Sequence, residues 1–246
     1  MEALAHIATP EFIVAFVIVF AAATVQSTVG FGFALLSVPL LDLLDPVFAP
    51  VPQLVAVLPL TLAVAAREWS AVELKSTAWI FAGRIPGAFV GVALLKWLGE
   101  PELDVLMSLM VVVGLLLVVR SPSFRRTPLA EVIAGVASGT MAMVSAIGGP
   151  PIAILYRNDR GPTVRANLAL VFAIGVCITL TVRTAAGEVS STEVAVGVAF
   201  VPAMLAGLRA SKGLLHRVEG KMLRNAIVVI AGLAAMVLLG RGLLNA

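Results

Sequence analysis

Charge is scarce in this chain. Of 246 residues, 13% are charged and 60% are hydrophobic, with aromatics at 6% and a mean hydropathy of +1.06. A soluble domain carries about 25% charged residues, so a water-soluble enzyme, a nucleic-acid binder and a disordered chain are excluded. The single cysteine, Cys177, rules out a disulfide framework and any multi-cysteine metal site. Two histidines, His6 and His216, leave nothing from which to build a zinc or haem centre. The sequence has no phosphate-binding loop, nucleophile elbow or His-rich motif. No cofactor and no enzymatic activity are therefore expected, and ATP does not energise this chain directly. Its basic loops are short and lack interleaved aromatics, so no nucleic-acid partner is expected. Glu2 and Glu11 precede the first apolar run without a Lys or Arg, unlike a cleaved signal peptide.

What the chain does have is long apolar runs, at 12–44, 47–66, 77–98, 103–119, 129–156, 164–182, 193–215 and 222–243. Most approach the ~20 residues needed to cross a ~30 Å hydrocarbon core, so membrane lipid is the surrounding partner. Two runs are too long for one crossing: 12–44 would reach about 50 Å as a helix, and 129–156 about 42 Å. Each contains breakers, Gly30-Phe31-Gly32 in the first and Gly148-Gly149-Pro150-Pro151 in the second. Gly costs about 1 kcal/mol and Pro about 3 in a helix interior, so each run should form two half-helices of ~14 residues around an unwound tip.

The breaks also mark a repeat. Ser27-Thr28-Val29-Gly30-Phe31-Gly32 aligns with Ser145-Ala146-Ile147-Gly148-Gly149-Pro150 at an offset of 118, and three apolar segments follow each. The chain divides into 1–122 and 123–246, joined near Arg120–Pro128. If the broken runs crossed once, Lys and Arg would split almost evenly between the two faces. If each returns to the face it entered, only Lys96, Arg183 and Arg241 lie outside, with thirteen inside and Arg84 within a span. The expected fold is an all-α polytopic membrane protein of two inverted repeats. Each is a re-entrant hairpin plus three transmembrane helices, and both termini lie outside. Inverted repeats with discontinuous helices are the pattern of a secondary transporter.

At each tip the second half-helix begins, and its free N–H groups and positive dipole end suit an anion. Gln26, Ser27, Thr28, Gly30 and Gly32 surround the first tip; Ser145, Gly148, Gly149 and Pro150 surround the second, with Ser138 and Thr140 nearby. An isolated Ser or Thr more often bonds back to its own helix. For Ser27 and Ser145, matched in the repeat, a role in the site is favoured. Arg84, eight residues inside its span, either attracts the anion or snorkels to the cytoplasmic face. No Asp or Glu lies near the middle of a span, which argues against a cation pathway and for a small anionic substrate. Gln53 and Asn167 occupy corresponding second spans, and an interhelical hydrogen bond is the plainer expectation for each. The ladder Gly83, Gly87, Gly91 marks close helix packing, either inside the chain or at a homodimer seam.

These glycine-rich breaks, from Ser27 to Pro39 and from Ser145 to Ala153, together with the ladder, resemble the sulfite exporter TauE/SafE family of permeases. The resemblance implies a bacterial inner-membrane transporter of small sulfur-containing or organic anions, such as sulfite or an organosulfonate. The sequence departs from the family's usual Gly-Gly-Gly pattern at Phe31 and at Pro150-Pro151. A passive anion channel and a non-transporting membrane partner are the alternatives.

Overall fold

The computed structural model describes residues 2–120, 125–214 and, within 229–240, all but 235 and 238. The predicted eighth span, 222–243, lies partly outside these residues, as do His216, Arg217, Lys221, Arg224 and Arg241. The described residues fold into helices without a strand. In chain order these are α1 (Glu2–Ile7), α2 (Pro10–Val29), α3 (Phe33–Leu44), α4 (Val51–Arg67), α5 (Leu74–Trp97), α6 (Glu100–Arg120), α7 (Pro128–Ser145), α8 (Gly149–Leu155), α9 (Gly161–Ala186) and α10 (Ser191–Leu214). Among the described residues, seven helical segments are long and apolar enough to cross a membrane.

Both long runs break where the glycines stand. The chain leaves α2 through Gly30 at φ 99° and enters α3 through Gly32 at φ 108°, left-handed values that a Cβ disfavours. The second break turns through Ala146 at φ 58° and then Gly148. The limbs are unequal: α2 has 20 residues against 12 in α3, and α7 has 18 against 7 in α8. Half-helices of equal length were expected. The breakers lie past the middle of each run, so the first limb continues to about 30 Å and is long enough to cross.

Each broken segment nevertheless comes back to where it started. His6 Nδ1, ahead of α2, lies 2.7 Å from Asp45 Oδ2, just past α3. Arg126 Nη1, ahead of α7, donates to Asp159 Oδ2, past α8, at 2.9 Å. The two entrances are built alike: Thr9 Oγ1 accepts from Phe12 N with Pro10 at the first turn, and Thr127 Oγ1 accepts from Ala130 N with Pro128 at the first turn. A Thr-Pro start satisfies an orphan N–H and places proline where it has none to lose. The hairpin bases lie at opposite ends of α4, because Asp45 precedes it and Glu73, which pairs with Arg126 at 2.6 Å, follows it.

The two halves exchange partners. The third span of the first half, α5, packs along α7, while the third span of the second half, α10, packs along α2 and α4; α4 also meets α9. Glycines make the close approaches. A Cβ on Gly83 or Gly87 would overlap the α7 backbone at Val132 or Val136, and one on Gly135 or Gly139 would overlap the α5 backbone at Ile80 or Arg84. The ladder is therefore an internal contact and not a seam between copies. On the outside, α5 exposes Ile85, Phe89, Val90 and Trp97, and α6 exposes Val113, Leu116 and Val119. A continuous apolar exterior over polar interior residues is the arrangement lipid selects.

Candidate functional site

The two breaks meet at one cavity of about 50 Å³. A water needs roughly 10–15 Å³ measured this way, so the space suits a small oxyanion or a few waters. Gln26, Gly32, Phe33 and Leu35 line it from the first break, and Ala146, Gly148, Gly149 and Pro150 from the second. Gln53 reaches it from α4, Arg84 from α5 and Thr179 from α9.

The two breaks are finished by different chemistry. At the first, Gln26 Oε1 reaches across the gap and accepts from Phe33 N at 3.1 Å, closing the start of α3. Leu36 N is the first in α3 to bond back, to Gly32 O at 3.1 Å, which leaves the N–H groups of Ala34 and Leu35, both cavity residues, without a place in the helix ladder. At the second, Pro150 and Pro151 stand where α8 would otherwise present its first donors, and α8 is only 7 residues long. The tips are therefore not equivalent: Gln26 closes one N–H at the first, and two prolines remove donors at the second.

Charge comes to the second break from α5. Arg84 is 3% exposed and its Nη1 donates to Ser138 Oγ at 2.6 Å. The same hydroxyl donates to Gly148 O at 2.6 Å, so one serine ties the arginine to the break. Close packing of Gly139 against the Arg84 backbone sets this distance, and Gly175 on α9 leaves room for the guanidinium, since a Cβ there would overlap it. Among the described residues, no carboxylate lies within ion-pair distance of Arg84. Its burial places it inside the chain, against the snorkelling expectation. Arg183, counted above as an outside residue, is likewise 5% exposed. Its guanidinium donates to Met143 O at 2.8 Å and Val144 O at 3.1 Å, satisfying the open carbonyls at the end of α7.

Of the residues expected at the site, the structure brings Gln26, Gly32, Arg84, Gly148, Gly149 and Pro150 together around the cavity. Ser27, Thr28, Gly30 and Ser145 are not among its lining. Ser27 Oγ donates to Ala23 O at 2.8 Å, Thr28 Oγ1 to Thr24 O at 2.7 Å and Ser145 Oγ to Met141 O at 2.9 Å, each closing on its own helix. Gly30 packs against Arg165 on the other side of the turn. The corresponding amides part ways. Asn167 is fully used: Oδ1 accepts from Glu73 N at 2.8 Å and Nδ2 donates to Thr163 O at 2.8 Å. Gln53 lines the cavity, and its buried Nε2 has no hydrogen-bond partner among the described residues.

A family model described as sulfite exporter TauE/SafE matches residues 15–238, nearly the whole chain. The chain belongs to the sulfite exporter TauE/SafE family. No curated protein and no solved structure matches it. Membership makes this TauE/SafE protein a multi-pass membrane transporter in a family of exporters of sulfite and related sulfur anions. Two contributors were less visible beforehand in this TauE/SafE chain: Ser138, seen only as a neighbour of the tip, and Gly175, whose lack of a Cβ makes space for Arg84. Their role depends on pairing residues more than 50 positions apart, and no local pattern carries that.

Proposed function

We propose that the chain is a secondary transporter that carries a small, sulfur-containing oxyanion, such as sulfite or an organosulfonate, through the cavity between its two breaks. The observation that carries this reading is Arg84: a buried cation that lines the cavity and has no carboxylate partner among the described residues. Burying a lone charge is unfavourable unless something pairs with it, and an anionic substrate supplies that partner. The open N–H groups at the start of α3 add the positive end of a helix dipole on the other side. Ser27, Thr28, Gly30 and Ser145 then hold the shape of the breaks.

The halves 1–122 and 123–246 act as inverted repeats. Support comes from hairpin bases at opposite ends of α4 and from the exchanged packing of α5 on α7 and α10 on α2. Opposing movement of the two halves exposes the cavity to each face in turn. The protein resides in a bacterial inner membrane with both termini outside.

Labelled sulfite in proteoliposomes tests this. Vesicles preloaded with unlabelled sulfite should accumulate label transiently against its gradient, as a carrier does, and Gly30→Val and Gly148→Val should abolish it while still inserting. Gly30 has φ 99°, and a Cβ on Gly148 would sit 3.0 Å from Ser138 O. Flux without counterflow would make the protein a channel, and full transport by both variants would remove the breaks from the mechanism.

A further inference from the structure

The cavity holds a second unanswered group besides Arg84. Gln53 on α4 is 1% exposed, and its Nε2 is a buried donor without an acceptor among the described residues. Its other end is held: Ser37 Oγ lies 3.3 Å from Gln53 Oε1 and 2.8 Å from Phe33 O, sharing its proton between the two. Buried donors are almost always matched, and an exception calls for an absent partner. Among the described residues, Arg84 is the only charged one lining the cavity. Much of the remaining wall is apolar, with Phe33, Leu54, Val57, Ile147, Phe172 and Val176.

We infer that Gln53 is a specificity-determining donor of this cavity, and that the site takes a singly charged oxyanion, with or without an apolar substituent, and rejects dianions. This rests on the anion-site reading above and adds the charge and the discriminating residue. One oxygen of the anion takes its charge partner from Arg84, and another accepts from Gln53 Nε2. A single guanidinium balances one negative charge. A second would stay uncompensated in an apolar surround, where unpaired charge is strongly disfavoured. A neutral amide, unlike a second cation, completes the oxyanion's hydrogen bonds without inviting the extra charge. The apolar wall accommodates a carbon substituent at the remaining valence.

Methanesulfonate and sulfate separate these features, since both present sulfonyl oxygens but differ in charge. Binding of each is measured by calorimetry and melting shift on the detergent-purified full chain and on Gln53→Met, a change of similar volume that deletes the donor. The parent should bind methanesulfonate at least tenfold more tightly than sulfate. Gln53→Met should lose about tenfold in methanesulfonate affinity, as expected for one buried hydrogen bond to a charged group, and should melt no lower than the parent without ligand. Gln53→Glu, which supplies its own negative charge beside Arg84, should bind neither anion. Equal affinity for the two anions would overturn the charge selection alone. Unchanged or tighter methanesulfonate binding by Gln53→Met, with or without a lower melting temperature, would overturn the role of Gln53 and leave the anion site standing. Binding of neither probe by the parent would overturn both.

Discussion

Two arginines show how differently this chain treats positive charge. Arg126, at the entrance to α7, is surrounded by acids: Glu73 Oε2 at 2.6 Å, Asp159 Oδ2 at 2.9 Å and Glu131 Oε1 at 3.9 Å, with the Tyr156 ring 4.9 Å beneath its guanidinium. Ser76 completes the cluster by donating to Glu131 Oε1 at 2.6 Å and meeting Tyr156 Oη at 2.8 Å. Arg84, at the break itself, has one serine hydroxyl and no acid among the described residues. The first arginine is saturated, and what it does is join α5, α7 and the loop after α8. The second keeps its charge available. The comparison separates a structural cation from the one proposed to bind by what remains unpaired, since burial alone describes Arg84 and Arg183 equally well.

The largest effect should come from Arg84→Met. Anion affinity should fall by at least about tenfold, because a hydrogen bond to a charged group is worth ~1.5–3 kcal/mol, and counterflow should disappear. The unliganded protein should melt no lower, since an uncompensated buried charge gives way to an apolar side chain of similar length. A large drop in melting temperature with intact binding would make Arg84 structural and collapse the comparison.

Ser138→Ala should come next. It removes the acceptor for Arg84 and the donor to Gly148 O, so unfolding should become easier by ~1–3 kcal/mol, with a parallel loss of affinity. Arg126→Ala should have the opposite profile. The protein should lose roughly 1–2 kcal/mol of stability as two short, partly exposed ion pairs disappear, while anion affinity stays within error of the parent. Weaker binding in Arg126→Ala would mean that the rim cluster reaches the cavity. Gly175→Ala should be the gentlest. Its methyl displaces the Arg84 guanidinium, an off-rotamer shift of ~0.5–1.5 kcal/mol, and affinity measured by calorimetry should fall a few-fold with little change in melting.

How much of this was legible beforehand varied with distance along the chain. The breaks were, because glycine and proline act on the helix that contains them, and both runs unwind at the positions their composition marks. The return of each hairpin was legible too, through the placement of Lys and Arg, and the pairs His6–Asp45 and Arg126–Asp159 agree with it. A further trace of the repeat was present in Thr9-Pro10 and Thr127-Pro128, which stand at the same offset of 118 as the breaks. The lengths of the limbs were misjudged by halving each run, although the breakers themselves stand past its middle. The matching hydroxyls Ser27 and Ser145 were favoured for the site on the strength of the repeat, yet both close on their own helices. A serine in a helix has a carbonyl four residues back within reach whatever surrounds it.

By itself, then, the sequence determined the membrane-spanning class and the broken helices, since each depends on composition or on neighbours within one helix turn or one loop. Only the tertiary structure decided which polar groups are left over. Gln53 and Asn167 have nearly the same chemistry and occupy the second span of each half, but Asn167 finds the Glu73 amide and the Thr163 carbonyl while the Gln53 amide nitrogen finds no partner among the described residues. Arg84 became available, and Arg126 did not, because glycine contacts draw α5 onto α7 at a register that offers one of them a serine and the other three carboxylates. A hydrogen bond is settled over about 3 Å, and across that distance the partners of these side chains come from parts of the chain that only packing brings together.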